Sequence, residues 1–260
     1  MYLMEHPEEG DRMERRDADE ADAHLDLVGI QSGDTILDAG CASGWLTRRI
    51  ARRAHPGRAT GVDQSARRIA QARRIADTES IPNIDFVEGD LYDLPFQDNR
   101  FDRAISRYTF EYLDHPETAL AEMIRVTRPG GSIAIADLDG NGLLHYPMPP
   151  LLEHLGASLT RRLDQLGFDP FIGRKLFTLC HRAGLKSIRV HALPHHLTAG
   201  RASPRDLENW AIKLKTIRPH IESLFPSSSA YDRFMEQCLE HLRRPDSLTW
   251  SLTFFVVGVV

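Results

Sequence analysis

Cysteine is scarce in this sequence, and the three residues present lie far apart at positions 41, 180 and 238. No two of them have the spacing of a metal site or of a disulfide framework, so we expect no bound metal. Thiols without disulfide partners are typical of a reducing compartment. The cysteine content therefore predicts a cytoplasmic protein.

Long apolar runs and an excess of positive charge are also missing. The longest apolar run, residues 254–260, is far shorter than the roughly 20 residues that span a bilayer. The 32 Lys and Arg residues are outnumbered by 37 Asp and Glu residues, which gives a net charge of −5. We therefore expect no membrane and no nucleic-acid partner. With 42% apolar residues in 260, the chain can bury one sizeable core, as a monomer or homodimer.

The most informative stretch is residues 35–46, where a short apolar run ends in Asp38 and an amphipathic helix begins at Trp45. Between them Gly40 and Gly44 are spaced G-x-x-x-G, whereas a dinucleotide cofactor would call for G-x-G-x-x-G. The acid and the helix N-terminus flank the turn, which suits a ligand carrying both a cation and an anion. The amino and carboxylate groups of an amino acid fit this description.

Strand and helix patterns alternate along the chain after this turn. The predicted strands are 35–37, 59–63, 84–91, 101–107, 132–138, 185–193 and 248–260. Asp63 ends the second strand, 25 positions after Asp38, and its carboxylate can accept two hydrogen bonds from a ribose diol. Acids and glycines at the carboxyl ends of parallel strands predict a ligand site at that edge of the sheet.

Two stretches carry a resemblance to a known family. Leu37, Asp38, Gly40, Cys41 and Gly44 resemble the first motif of class I S-adenosylmethionine-dependent methyltransferases of the small-molecule type (methyltransferase-domain 11/25-like). The stretch from Gly89-Asp90 to Leu94-Pro95-Phe96 is similar to a second pattern of that family. Ala42 departs from the first motif, where a glycine is usual, and its added methyl group is tolerable if its φ is negative.

The resemblance implies a fold class and a cofactor. The fold is α/β: a Rossmann-like, doubly wound, mostly parallel seven-stranded sheet with an antiparallel last strand, plus helical lid insertions. The cofactor is S-adenosyl-L-methionine, which leaves as S-adenosyl-L-homocysteine. Asp63 with Gln64 would hold the ribose, and Asp90 with Leu91 the adenine. The full predicted cofactor set is Tyr2, Asp38, Gly40, Ala42, Gly44, Trp45, Asp63, Gln64, Asp90, Leu91 and Arg107.

The predicted organisation is one domain with additions. Residues 1–32 form an N-terminal helical arm, 33–194 the cofactor-binding core, 195–247 a helical lid and 248–260 the last core strand. Residues 139–142 are predicted to form a flexible loop because they are polar and rich in glycine. The arginines of the first core helix are predicted to form a solvated face, at positions 48, 49, 52 and 53.

The predicted activity is methyl transfer to an oxygen, nitrogen or carbon atom of a small molecule, with a secondary metabolite as one candidate. A hydroxyl acceptor also needs its proton removed, which histidine does well near neutral pH. The candidate catalytic residues are His145, Tyr108 and His195. Two alternatives stay open: a protein that uses the cofactor without methyl transfer, as a cyclase would, and a non-catalytic binding module.

Overall fold

A computed structural model describes residues 18–260. The helices are α1 (Ala18–Val28), α2 (Trp45–Ala54), α3 (Ala66–Thr78), α4 (Pro116–Val126), α5 (Pro150–Gln165), α6 (Leu176–Arg182), α7 (Pro204–Ile221) and α8 (Ser228–Arg243). The strands are β1 (Thr35–Ala39), β2 (Arg58–Asp63), β3 (Ile84–Glu88), β4 (Phe101–Arg107), β5 (Thr127–Tyr146), β6 (Lys186–Ala199) and β7 (Leu248–Val259). Short 3₁₀ turns cover Phe110–Tyr112, Gly173–Lys175 and Glu222–Leu224.

The seven strands form one sheet in the order β3-β2-β1-β4-β5-β7-β6. Strands β1 to β5 pair in parallel, and β7 runs antiparallel to both of its neighbours. The predicted fold class is confirmed. Because parallel strands all end at the same edge, the tips of β3, β2, β1 and β4 lie side by side there in that order.

Helices cover both faces of the sheet, since successive residues of a strand point to opposite faces. In β1, Ile36 packs with Leu25 of α1 and Ile50 of α2, whereas Leu37 packs with Leu120 of α4. All five of these side chains are almost fully buried. The doubly covered sheet explains why β1 is buried on both faces from Ile36 to Ala39.

The helices α5, α7 and α8 have an apolar cluster of their own. Tyr231 is fully buried there and donates a hydrogen bond to the Leu214 carbonyl at 2.6 Å. Arg162 of α5 donates to the carbonyl of His220 at the end of α7, at 2.9 Å. The helical character predicted for 195–247 is present, although β6 extends through Ala199 and takes the first residues of that range.

The flexible loop predicted over 139–142 is wrong, because β5 continues as a strand to Tyr146. The reason is tertiary: β7 pairs with β5 up to Asp139 and again from Leu144, so residues 140–143 form an irregularity held between two paired segments. Asp139 is also held by Arg174, whose Nε and Nη2 each lie 2.7 Å from a carboxylate oxygen. A partner strand here overrides a composition typical of loops.

The solvated face predicted on α2 is wrong for one of its arginines. Arg48 is 4% exposed, donates from Nη1 to the Ser43 carbonyl at 2.9 Å, and places Nε 3.3 Å from Glu79. Arg52 and Arg53 remain partly exposed as expected. A long side chain can bury its stem when its guanidinium finds partners, which the helical pattern alone does not reveal.

Within residues 18–260, no helix is long and apolar enough to cross a membrane. The same residues contain no group of three or more His, Cys, Asp or Glu side chains that could hold a metal ion. The three cysteines are free, and Cys41 and Cys180 are buried.

The turn before α2 depends on the absence of a side chain at Gly44. Its φ is +74°, and an added Cβ would come within 2.4 Å of the Phe86 ring. Gly130 has a similar φ of +79° with no atom within 4 Å of such a Cβ. Gly130→Ala should therefore cost only the backbone strain, about 1–2 kcal/mol. Gly44→Ala should cost about 1–3 kcal/mol more, because the methyl group overpacks the core. Urea unfolding of both variants measures the difference, and equal costs would contradict a steric role for the Phe86 contact.

Candidate functional site

A cavity of about 860 Å³ opens at the carboxyl ends of β1, β2, β3 and β4. This volume lies within the range of about 300–1,000 Å³ that is usual for ligand pockets. Its lining comprises Asp38, Gly40, Cys41, Ala42, Ser43, Trp45, Leu46, Asp63, Gln64, Ser65, Arg68, Asp90, Leu91, Tyr92, Arg107, Tyr108, Thr109, Tyr112, Leu113, Asp114, Gln165, Leu166, Gly167 and His220.

One wall of the cavity is the turn between β1 and α2. Gly40, Ala42 and Gly44 all have positive φ, at +82°, +48° and +74°. The condition of a negative φ at Ala42 is therefore not met: the alanine occupies the left-handed conformation that a glycine adopts more easily. The amides of Gly40 and Cys41 both donate to the Val62 carbonyl at 2.9 Å, which fixes the turn against the tip of β2.

Three carboxylates lie at successive strand ends along this wall. Asp38 is 2% exposed, and its Oδ2 accepts a hydrogen bond from the Thr47 hydroxyl at 2.6 Å. Asp63 accepts the Ala42 N–H at Oδ2 and the Ser65 N–H at Oδ1, both at 2.9 Å. Asp90, which is exposed, accepts the amide of Tyr92 at 2.9 Å. Each carboxylate oxygen has two lone pairs, so these bonds leave acceptor capacity on Asp63 and Asp90.

The structure brings the predicted cofactor residues together. Those within the described residues all line the cavity except Gly44, which shapes the turn from beneath against Phe86. Tyr2 lies outside the described residues. Asp38, Asp63 and Asp90 lie at one cavity, as the sequence predicts. Their individual roles toward a ligand stay predictions.

The opposite wall begins at the tip of β4 with Arg107 and Tyr108. Tyr108 has a φ of +57°, which is uncommon for a residue with a bulky side chain. The Arg107 guanidinium lies 4.3 Å from the centre of its ring. The Tyr108 hydroxyl donates to the Glu20 carboxylate and lies 3.1 Å from the Thr253 hydroxyl. Burial raises the pKa of Tyr108 above its usual range, so the phenol is neutral.

Arg107 joins this wall to α1. Its Nε donates to Nδ1 of His24 at 3.0 Å, and its Nη2 lies 3.2 Å from Oε1 of Glu20. Burial, and secondly the charge of Arg107, lowers the pKa of His24 to about 4. A neutral His24 can accept the guanidinium hydrogen bond, which a protonated ring could not.

His195 of β6 lies beside Tyr108, outside the described lining of the cavity. Its ring centre is 5.4 Å from that of Tyr108, and its Nδ1 is 3.2 Å from Glu20 Oε1. Burial lowers the pKa of His195, which leaves the imidazole neutral at neutral pH. Burial alone would raise the pKa of Glu20, but the hydrogen bond to His195, the charge which that ring carries when protonated, and Arg107 hold it well below its usual range. The predicted candidates Tyr108 and His195 thus belong to one cluster.

His145 does not join them. The extension of β5 carries it past the cavity, and it packs between the strand pair β5–β7 and the helices α7 and α8. Its Nδ1 lies 2.9 Å from the Thr249 hydroxyl, and its ring centre is 5.1 Å from that of His241 and 6.2 Å from Trp210. The sequence placed His145 near the acceptor because a loop was expected where the strand continues.

Sequence reasoning missed several residues of the site. Glu20 and His24 come from the N-terminal helix, and Gln165 and His220 from the ends of α5 and α7. No local pattern marks these positions, because the contacts join segments far apart in sequence. Asp137 was detectable, since it is an acid within an apolar strand.

Asp137 anchors the segment that follows Tyr108. It is fully buried and accepts the amides of Thr109 and Glu111, both at 3.1 Å, and that of Leu138 at 2.8 Å. Burial raises its pKa to about 7, although these hydrogen bonds favour the charged form. The segment carrying Tyr108 is therefore fixed from below by β5.

Comparison with known proteins gives partial matches. Residues 36–131 match the family model described as "Methyltransferase domain". The chain is 40% identical over 112 residues to 2-phytyl-1,4-naphtoquinone methyltransferase of Nostoc sp., covering 42% of this chain and 49% of that protein. It is 34% identical over 162 residues to an uncharacterized 37.1 kDa protein in a transposon of Streptomyces fradiae, covering 62% and 46%. The chain spans about half the length of the curated relatives it matches.

Solved structures extend the likeness to the whole fold. The [4+2]-cyclase SpnF superposes with a TM-score of 0.60 at 17% identity, covering 93% of this chain and 80% of that one. Phosphoethanolamine N-methyltransferase 2 of Haemonchus contortus, in complex with S-adenosylhomocysteine, has a TM-score of 0.61 at 20% identity, covering 93% and 53%. At these identities the likeness establishes the fold alone.

The neutral state of His24 gives a testable pH dependence. A folded pKa of about 4 against an ordinary value of 6.5 means that the unfolded chain binds more protons between these pH values. The contribution of His24 to the free energy of unfolding is therefore complete above pH 6.5. It is lost as the pH falls toward 4, and the loss amounts to about 3 kcal/mol.

His24→Gln keeps a hydrogen-bond acceptor for Arg107 but cannot be protonated. Between pH 6.5 and 4, its free energy of unfolding should fall by about 3 kcal/mol less than that of the parent. Urea unfolding at several pH values measures this, with the exposed His154→Gln as a control that should follow the parent. Parallel pH profiles for His24→Gln and the parent would contradict the assignment.

Proposed function

We propose that this chain, in which residues 36–131 form a class I methyltransferase domain, transfers the methyl group of S-adenosylmethionine to a small molecule. The observation that carries the proposal is the placement of Asp38, Asp63 and Asp90 at three successive strand ends around one cavity. We also propose that the protein is cytoplasmic and that it is a monomer or a homodimer.

The residues present fit this cofactor. Asp38 and the N-terminus of α2 suit the amino and carboxylate groups of its methionine portion. The acceptor capacity left on Asp63 suits the ribose diol. Asp90 suits the amino group of adenine, and the buried Leu91 offers an apolar surface for the ring. Gly40 lines the cavity without a side chain, so the backbone of the turn can approach a ligand closely there.

The strand order supports a position for the acceptor. Strands in a sheet are about 4.8 Å apart, so a nucleoside laid from β3 across β2 to β1 has its sulfonium end next to β4. When bound, S-adenosylmethionine supplies a methyl group already activated for in-line displacement. The protein then mainly has to align the acceptor and exclude water. Arg107, which is among the cofactor residues predicted from the sequence, ends β4 and Tyr108 follows it; both are proposed here to orient the acceptor.

The acceptor side has aromatic and apolar walls with a polar far end. Tyr108, Tyr112 and Leu113 form the walls, and Gln165 and His220 reach the cavity from α5 and α7. A partly apolar small molecule with an aromatic ring and a polar substituent suits this surface. The match to the naphtoquinone methyltransferase covers less than half of each chain. It supports a quinol-like molecule as one example of a partly apolar aromatic acceptor.

Proton removal from a hydroxyl acceptor is proposed for His220 in place of His145. Among the described residues that line the cavity, His220 is the only histidine. An imidazole accepts a proton well near neutral pH. An acceptor carbon or nitrogen atom with a free electron pair would not need this step.

A protein that binds the cofactor without consuming it is the competing function, because a cyclase shares the fold. Methyl-labelled S-adenosylmethionine separates the two. The protein should transfer label into a size-filtered metabolite extract and release one S-adenosylhomocysteine for each methyl group. Tight binding without release of S-adenosylhomocysteine would favour the cyclase-like function, and absence of binding would overturn both.

Recognition of adenine by Asp90 can be tested by exchanging its hydrogen-bonding character. Asp90→Asn replaces an acceptor by an amide that can also donate, which suits the carbonyl oxygen of hypoxanthine better than the amino group of adenine. The parent should prefer S-adenosylhomocysteine over S-inosylhomocysteine. The variant should shift that preference by roughly tenfold or more, the worth of about 1.4 kcal/mol in hydrogen bonding.

Isothermal titration calorimetry with the two nucleosides measures this preference. Asp93→Asn is the matched control, because Asp93 is exposed, lies three residues away and is outside the described lining of the cavity. An unchanged ratio in Asp90→Asn would place the base elsewhere.

A further inference from the structure

We infer that Glu20 is a positioning residue of the acceptor side: it fixes the phenol of Tyr108 and the imidazole tautomer of His195. The inference rests on the proposed function insofar as Tyr108 borders the acceptor. It extends the site beyond the strand ends, because Glu20 belongs to the N-terminal helix α1. None of the predicted cofactor residues comes from this helix.

One carboxylate oxygen organises the cluster. Oε1 of Glu20 accepts the hydroxyl of Tyr108, lies 3.2 Å from Nη2 of Arg107 and lies 3.2 Å from Nδ1 of His195. Three groups from β4 and β6 thus converge on an atom supplied by α1. The carboxylate is only partly exposed, so water competes little for it.

The charge of Glu20 dictates where the protons lie. An ionised carboxylate only accepts, so Nδ1 of a neutral His195 facing it must carry the ring proton. The Tyr108 proton points to the same oxygen. The lone pair of His195 is then on Nε2, the tautomer set by the partner of the other nitrogen. A glutamine at position 20 would offer a neutral oxygen or an amide donor and would remove this preference.

The backbone of Tyr108 shows why the ring needs such a restraint. A non-glycine residue with positive φ persists where the surroundings fix it. The hydroxyl bond to Glu20, the contact with Thr253 and the guanidinium of Arg107 act on its side chain from three directions. Loss of the Glu20 charge loosens the ring at the wall where the acceptor must be aligned.

Helix α1 does not depend on Glu20 for its docking. Its Ala21, Leu25 and Val28 are buried in the core. On its outer side, Asp22 lies 3.3 Å from Arg53 and 3.5 Å from Arg49 of α2. Asp22→Asn therefore neutralises an acid of the same helix that also faces arginines, but one that does not reach Tyr108. It is the matched control for Glu20→Gln.

The tautomer is the readout that a merely structural role would not move. In protein with ¹⁵N-labelled histidine and bound S-adenosylhomocysteine, the His195 ring, assigned through His195→Gln, should carry its proton on Nδ1 in the parent and in Asp22→Asn. In Glu20→Gln it should shift to Nε2 or to a mixture. A proton on Nε2 in the parent, or the same tautomer in Glu20→Gln, would overturn the inference without any acceptor.

Kinetics supply the second readout. Glu20→Gln should slow label transfer into the metabolite extract by about tenfold or more, because small misalignments of the reactants are costly. The affinity for S-adenosylhomocysteine should stay within about twofold in both variants, since neither acid lies among the residues placed against the nucleoside. If the parent transfers label and Glu20→Gln does so equally fast, the positioning role fails and the function stands. If the parent transfers none, the function fails and the tautomer still decides the role of Glu20.

Discussion

The site depends on one interaction between two strand ends: the carboxylate of Asp63 receives the amides of Ala42 and Ser65. These bonds connect the turn after β1 with the turn after β2. They keep the N-terminus of α2 and the tip of β2 around the same cavity, so that a ligand can touch both. The turn that presents the Ala42 amide to Asp63 passes through three residues with positive φ, at positions 40, 42 and 44.

Ala42 shows how such a constraint is met with an imperfect residue. A left-handed non-glycine residue costs about 1–2 kcal/mol, and the hydrogen bond to a charged carboxylate offsets much of it. Ala42 also lines the cavity. The departure from the glycine-rich motif therefore leaves the turn in place at the wall of the cavity.

The meeting of the strand-end residues at one cavity could be predicted from the sequence because each of these groups is local. A strand tip, an acid and a turn occur within a few residues, as at Asp38 and Asp90, and parallel pairing then brings the tips together. The sheet order follows from the same alternation of strands and helices. Burial of Arg48 could not be predicted, because its partner Glu79 comes from a different helix end.

The parts that the sequence did not predict share a physical cause, which is pairing over long distances along the chain. Residues 139–142 have the composition of a loop, and they lie within β5 because β7 pairs with that strand on both sides of them. That extension removes His145 from the cavity. Glu20 meets Tyr108 and His195 across 88 and 175 positions, and no periodicity encodes such a meeting.

This division explains where the matches to known proteins end. Residues 36–131 contain the three acids that face the proposed nucleoside, together with Arg107 and Tyr108. The groups that surround Tyr108 from outside, Glu20 and His195, lie beyond that span on either side. A domain that keeps its cofactor end constant and changes the segments around the tip of β4 can exchange acceptors without disturbing the nucleoside site. Selectivity in this chain is therefore expected to reside in α1, β6 and the ends of α5 and α7, which must be understood from their contacts instead of from the shared motif.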